Sequence, residues 1–206
     1  MRLTSKTIVQ DQPIPPECAL GVAGPEGPQP GPNRSPHLAW SGAPATTKSY
    51  VILAVDIDAP ANADDANKAD RTIPYDAPRT DFYHWVLADI PVSRAELSEG
   101  VDSDCLKAKG KEPGHTPHGE RGLNNYTEWF KSDPEMSGSY GGYDGPWPPF
   151  NDERQHRYVF TLYALDVETL KLGKAFTGAD VKKAIEGHVL AEESITGVYS
   201  LNPSAR

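Results

Sequence analysis

The chain has 206 residues and a formal net charge of −9. That length suits a single domain with one sizeable core, 1–206, and the sign is wrong for a nucleic-acid footprint. Its 20 prolines and 18 glycines are many for a helical bundle and fit a chain that turns often between strands.

The amino terminus, MRLTSKTIVQ, lacks an apolar stretch of signal-peptide length. The longest apolar runs, such as VILAV at 51–55, are too short to span a bilayer. A soluble, cytoplasmic protein is expected. Cys18 and Cys105 have no metal-binding spacing and sit in Pro- or Lys-rich, surface-like stretches, so two free thiols are expected.

In chain order, residues 14–44 read as short extended pieces broken by Pro and Gly. Strands are predicted over Tyr50–Asp56, His84–Ile90 and Arg157–Leu165, each rich in Val, Ile, Tyr or Phe. Polar segments 61–80 and 98–144 separate them, long enough to suggest function, although charge runs are usually solvated surface. Helices are predicted over Asp166–Leu172 and from Thr177 onward. In the latter, Asp180 completes a capping-box-like start, and Val181, Ala184, Ile185 and His188 share a face. The fold class is an all-β core with little helix.

Each predicted strand carries ionisable groups at a Pro-flanked end. YVILAVDIDAP ends in Asp56 and Asp58, on one face by period-two alternation. DFYHWVLADIP opens with His84, on the face of Phe82 and Val86. In PPFNDERQHRYVFTLYALD the stiff Pro148-Pro149 rim leads to a strand whose His156, Tyr158, Phe160, Leu162 and Ala164 share a face. Arg157 points the other way, as a structural or surface charge. Polar groups at the rim of an apolar floor make a shallow ligand pocket. A single strand-end Asp is more often a turn former, and a single His beside Trp85 more often a core residue; the threefold repetition points to a site. His115 and His118, in a Gly/Pro/Lys loop, read as surface groups. No nucleophile elbow or phosphate-binding glycine loop is present.

DIDAP, HWVLADIP, GPWPP and HRYVFTLYALD, in that order, resemble the phosphatidylethanolamine-binding protein family, in its bacterial and archaeal branch. NRSPHLAWSGAPATTKSY and GHVLAEESITGVYS extend the resemblance over most of the chain. It implies two packed antiparallel sheets in Greek-key arrangement with a few peripheral helices. It also implies a small anion pocket for a phosphate or phospholipid headgroup, formed here by Asp56, Asp58, His84, Pro148, His156 and Tyr158, with Trp147 and Pro149 at the rim. Bacterial members often pair, so a homodimer is expected. Tyr126, Trp129, Phe130, Tyr140 and Tyr143 crowd one long loop and need cover, which agrees. Asn151 stands where the family has a Gly, and its tolerance of positive φ would preserve the turn. Trp147 stands where many bacterial members have Cys, and its indole would narrow the pocket or stack on a ligand.

Tyr158 and two imidazoles can donate to a phosphate. Asp56 and Asp58 would either hold a histidine in its charged form or pair with the ammonium of an ethanolamine headgroup; both alternatives stay open. The two histidines and two carboxylates also make a conceivable metal donor set, but neither spacing nor family points to one, and no cofactor is expected. The first functional reading is therefore a binding protein for a small anionic ligand, phosphate or phosphoethanolamine-like. The alternatives are an inhibitor of a protease or kinase acting through the long loops, and an enzyme running non-covalent acid–base chemistry with His84 and His156.

Overall fold

Alternating apolar residues on three long strands build the core. Tyr50, Ile52 and Ala54 of one strand, Trp85 and Leu87 of the next, and Tyr158, Phe160, Leu162 and Ala164 of a third meet in one buried cluster. The computed structural model describes residues 1–205. Its first strands are β1 (Arg2–Thr4), β2 (Gln12–Pro13), β3 (Gly21–Gly24), β4 (Gly27–Pro30) and β5 (Leu38–Ser41). The long strands β6 (Ser49–Pro60) and β7 (Arg79–Pro91) follow, then the short β8 (Glu96–Leu97), β9 (Gly110–Lys111), β10 (Gly114–Thr116), β11 (Gly119–Arg121) and β12 (Ser139–Tyr140). Two more long strands, β13 (His156–Leu165) and β14 (Val189–Tyr199), complete the set, and the α-helices are α1 (Tyr126–Trp129) and α2 (Gly178–Ala184).

The main sheet has seven strands in the order β10-β11-β7-β6-β13-β14-β2. A three-stranded sheet, β1-β5-β8, lies over one face and adds Leu3, Leu38, Trp40 and Leu97 to the same core cluster. On the opposite face Val51, Leu53, Val86 and Ala88 pack against Phe176, Val181 and Ile185 from the α2 region. The long strands pair antiparallel. The expected all-antiparallel sheets are corrected at the margins, where β14 pairs β2 and β12 pairs β9 in parallel. No helix among the described residues is long and apolar enough to cross a membrane.

Local chemistry explains where the elements depart from expectation. Thr177 and Asp180 form the capping box at the start of α2, and Val181 and Ile185 are buried as predicted. His188 falls beyond the helix end, where Gly187 has φ +78°, and pairs with Asp166 at 2.8 Å. Asp166–Leu172 is not a helix. Its polar groups bond across the chain instead: Leu170 N and Thr169 Oγ1 donate to Asp89, and Ser49 Oγ donates to the Val167 carbonyl. Strand β14 was not predicted. Most of it is exposed or half-exposed, and Glu192-Glu193-Ser194 at its centre interrupts the alternation by which Ala191, Ile195 and Tyr199 pack against the core.

The segment 98–144 is woven into the molecule rather than laid over it. Buried Asp102 accepts from Trp85 Nε1 at 2.6 Å, from His118 Nε2 at 2.8 Å and from Arg121 Nε. His118 is therefore a core group, and only His115 is at the surface as expected. Buried Asp144 accepts from Asn33 at 2.7 Å, and from Lys111 and Asn124 at 2.8 Å. Tyr126, Tyr140 and Tyr143 are buried within their own chain, while Trp129 stays 44% exposed. The clustered rings thus find most of their cover without a second copy. Cys18 is also buried rather than superficial, and burial, with Glu99 and Glu17 nearby, pushes its thiol up to about 12. Cys105 is exposed and free.

Asp144→Asn would leave the Lys111 ammonium buried without a counter-charge. Equilibrium denaturation is expected to show a loss of about 3–5 kcal/mol for this variant. Asp166→Asn, which breaks the half-exposed pair with His188, should cost less than about 1 kcal/mol.

Candidate functional site

A cavity of about 190 Å³ opens at one end of β6, β7 and β13. Asp56, His84, His156 and Tyr158 form its polar part, and Trp147, Pro148 and Pro149 line it from the incoming loop. Phe82, Tyr126 and Trp129 add aromatic wall. Of the eight residues expected from sequence, seven line this space and Asp58 does not.

Two irregularities in the β6–β7 ladder decide which side chains reach it. Val55 pairs Tyr83 while Ala54 pairs Trp85, so His84 is the extra residue of a bulge. Such a bulge re-aims side chains. Phe82 and His84 face the cavity, while Val86, expected on the same face, packs in the opposite cluster. The second irregularity lies between Asp56 and Ala59 and breaks the period that would have set Asp58 beside Asp56. Asp58 is bound by Arg157 Nε at 2.7 Å, Arg157 Nη2 at 2.9 Å and Arg154 at 3.0 Å. Burial opposes its ionisation, but the two guanidiniums hold its pKa at about 2. Arg157 is accordingly structural.

His156 is clamped between two carboxylates. Its Nδ1 donates to Asp56 at 2.7 Å and its Nε2 to Asp152 at 3.1 Å. Asp152 in turn receives the Arg79 guanidinium through both its oxygens. Burial alone would lower the His156 pKa, but Asp152 and Asp56 outweigh it and raise it to about 9. An imidazolium at neutral pH follows, with both N–H groups already given away. Asp56 also accepts the Asp58 amide at 2.8 Å, which stiffens the bulge.

His84 behaves oppositely. Its Nδ1 lies 2.8 Å from the Asp144 carbonyl, which can only accept, so Nδ1 carries the proton. Burial lowers the ring's pKa below its ordinary value and outweighs the opposing pull of Asp56. The ring is therefore neutral near pH 7, with Nε2 an acceptor. Tyr158 stands edge-on to it, ring centroids 5.1 Å apart. The Tyr158 hydroxyl is buried with no acceptor in full hydrogen-bond geometry, and only the Asp56 carboxylate draws on it. Burial, and then the nearby Asp56 charge, push its pKa well up, so it is a firm O–H donor.

Sequence reasoning missed Asp152, Tyr126 and Trp129. Asp152 lies four residues before His156 in an irregular loop, where no periodicity aims it. The two rings belonged to the noted aromatic cluster, but only tertiary packing shows that they turn inward. Asn151 also plays a different part. Its φ is not positive; instead its amide donates to the carbonyls of Asp65, Lys68 and Arg71 at 2.8–3.2 Å. That clip fastens segment 61–73, including the cavity residue Ala63, to the loop that carries Pro148 and Pro149.

Comparison with known proteins gives one answer. The phosphatidylethanolamine-binding protein family model matches residues 4–200. UPF0098 protein YbhB of Escherichia coli K12 is 32% identical over 170 residues, covering 82% of this chain and 84% of its own. A UPF0098 protein of Methanothermobacter thermautotrophicus is 34% identical over 169 residues, with 82% and 84% covered. The crystal structure of Escherichia coli YbcL, described as a new member of the mammalian PEBP family, shares the fold with a TM-score of 0.68 at 26% identity, covering 97% of each chain.

The clamped imidazolium makes stability depend on pH. Its folded pKa of about 9 lies above the ordinary 6.5, so between these values the folded chain keeps a proton that the unfolded chain releases. The contribution is complete below about pH 6.5 and is lost as pH rises through 9, with a ceiling on the order of 3 kcal/mol. Thermal unfolding is expected to show Tm falling across that window, and His156→Asn to flatten the fall.

Proposed function

This chain belongs to the phosphatidylethanolamine-binding protein family, and from that premise we propose that its cavity binds a small molecule through a phosphate-like anionic head. The observation that carries this reading is the Tyr158 hydroxyl, a buried donor in the cavity wall with no acceptor in full hydrogen-bond geometry. An unmet buried donor costs about 1–3 kcal/mol, which a ligand oxygen recovers. His84 Nε2 is the second group available. When an anion enters, the ring gains a reason to take up a proton and becomes a second donor. His156 supplies charge from behind but no hydrogen bond, since both its nitrogens are engaged.

Among the described residues, no lysine or arginine lines the cavity, so affinity for bare phosphate should be modest. The Asp56 carboxylate and the faces of Phe82, Tyr126 and Trp129 suit an ammonium carried on the same ligand. Tighter binding of O-phosphoethanolamine than of inorganic phosphate would mark that contact.

Calorimetric titration with both ligands tests the reading. Free His84 has a lowered pKa, and a bound anion raises it, so binding takes up a proton between the two values. Affinity should therefore fall as pH rises through that interval, by up to tenfold per unit. Proton uptake should appear as a dependence on buffer ionisation enthalpy. His84→Ala should abolish the pH slope, and Tyr158→Phe should weaken binding by about 1 kcal/mol without changing it. Affinity that stays level with pH in the parent protein would remove histidine-held anion binding.

A further inference from the structure

Lys111 is a buried lysine that does not line the cavity. Its ammonium donates to the Asp144 carboxylate at 2.8 Å and to the Tyr143 carbonyl at 2.9 Å. A buried ion pair is a poor source of stability, because taking both charges out of water offsets much of their attraction. The place of this pair is more telling: it stands directly behind His84.

His84 is the extra residue of the β7 bulge and has no opposite number on β6. Asp144 takes that place. Its N–H donates to the His84 carbonyl at 2.9 Å, and its carbonyl accepts the His84 Nδ1 proton at 2.8 Å. The next carbonyl, of Gly145, also draws on the ring. Asp144 thus grips His84 with both main-chain groups, while Asn33, Lys111 and Asn124, from three other segments, grip its carboxylate. Gly145 is fixed in the same way: its N–H donates to Asn33 Oδ1 at 2.8 Å and its carbonyl accepts the Tyr126 hydroxyl at 2.9 Å. A Cβ on Gly145 would come within 1.9 Å of the Cys18 carbonyl, so the strap has no slack on that side.

We propose that Lys111 and Asp144 are positioning residues of the cavity: their ion pair holds the 143–145 strap so that its carbonyls keep the His84 proton on Nδ1 and leave Nε2 bare toward the cavity. A neutral imidazole can carry its proton on either nitrogen, and the hydrogen bond made by one decides the state of the other. Without a fixed carbonyl behind it, the ring is free to place the proton on Nε2, and the cavity then meets a donor where it now meets an acceptor. This inference rests on the anionic-head reading only for what Nε2 does with a ligand. The tautomer itself is set in the empty protein.

The test is proton–nitrogen correlation NMR of the His84 ring in the full chain at pH 7, with no ligand added. Lys111→Met combined with Asp144→Asn removes both charges together, so neither is left buried alone. The His84 Nε2 resonance should move in this variant from the bare-nitrogen position toward the N–H position, and Nδ1 the opposite way. Val181→Ala, a core truncation on the far face of the sheet, loosens the fold without touching the strap and should leave both resonances where the parent has them. A folded double variant with the parent's pattern overturns the inference, because the strap then holds the ring without the pair. The same shift in Val181→Ala overturns it too, since any loosening would then suffice. Should the double variant fail to fold, Lys111→Gln, which keeps an N–H donor but loses the charge and the reach, decides between the same two outcomes. None of these readouts involves an anion, so a failure of the head reading leaves the result standing, and a failure here leaves the head reading to its own titration.

Discussion

The clamp of His156 between Asp56 and Asp152 is the interaction on which the site depends. It joins β6 to β13 and both to the loop descending from Pro149, and Arg79 extends it to β7. Alternating charges let a buried imidazolium persist where burial alone would neutralise it. Committing His156 in this way also sorts the remaining groups. A histidine with both nitrogens engaged has no group left for a ligand, so under the proposed function the ligand-facing chemistry passes to the neutral His84 and the Tyr158 hydroxyl. Two imidazoles in one cavity thus hold opposite protonation states, set by carboxylates around one and by a carbonyl and burial around the other.

The same device recurs away from the cavity. A chain with a net charge of −9 keeps several of its aspartates inside, each surrounded by donors. Asp102 gathers Trp85, His118 and Arg121; Asp144 gathers Asn33, Lys111 and Asn124; Asp58 gathers Arg154 and Arg157. These anchors pin the long segments between strands. They explain how a stretch rich in Gly, Pro and Lys becomes part of the core, and how Tyr126 and Trp129 come to wall a cavity built mainly by distant strands.

What could be read from the residues follows from which physical signals are local. The three long strands were legible because alternation of apolar side chains is itself the cause of their burial. Asp56, His84, His156 and Tyr158 could be grouped because strand geometry puts strand-end residues at one rim. The reading failed where the ladder is irregular: a bulge turns Val86 away from His84, and another separates Asp58 from Asp56. It failed too where a side chain's partner lies far along the chain. His118 is a core residue only because Asp102 waits for it, and Asn151 matters through three carbonyls some 80 residues earlier, not through its backbone angle. Strand β14 escaped because Glu192-Glu193-Ser194 interrupts the alternation of Ala191, Ile195 and Tyr199, which pack against the core.

The most direct test of the clamp is proton–nitrogen correlation NMR of the histidine rings across pH 5–10. His156 should show both nitrogens protonated at pH 7 and titrate near 9. His84 should show a single proton, on Nδ1, and titrate below the ordinary histidine value. A His156 ring that is neutral at pH 7 would contradict the account, because Asp56 and Asp152 would then not hold its charge and its freed nitrogen would become a ligand group.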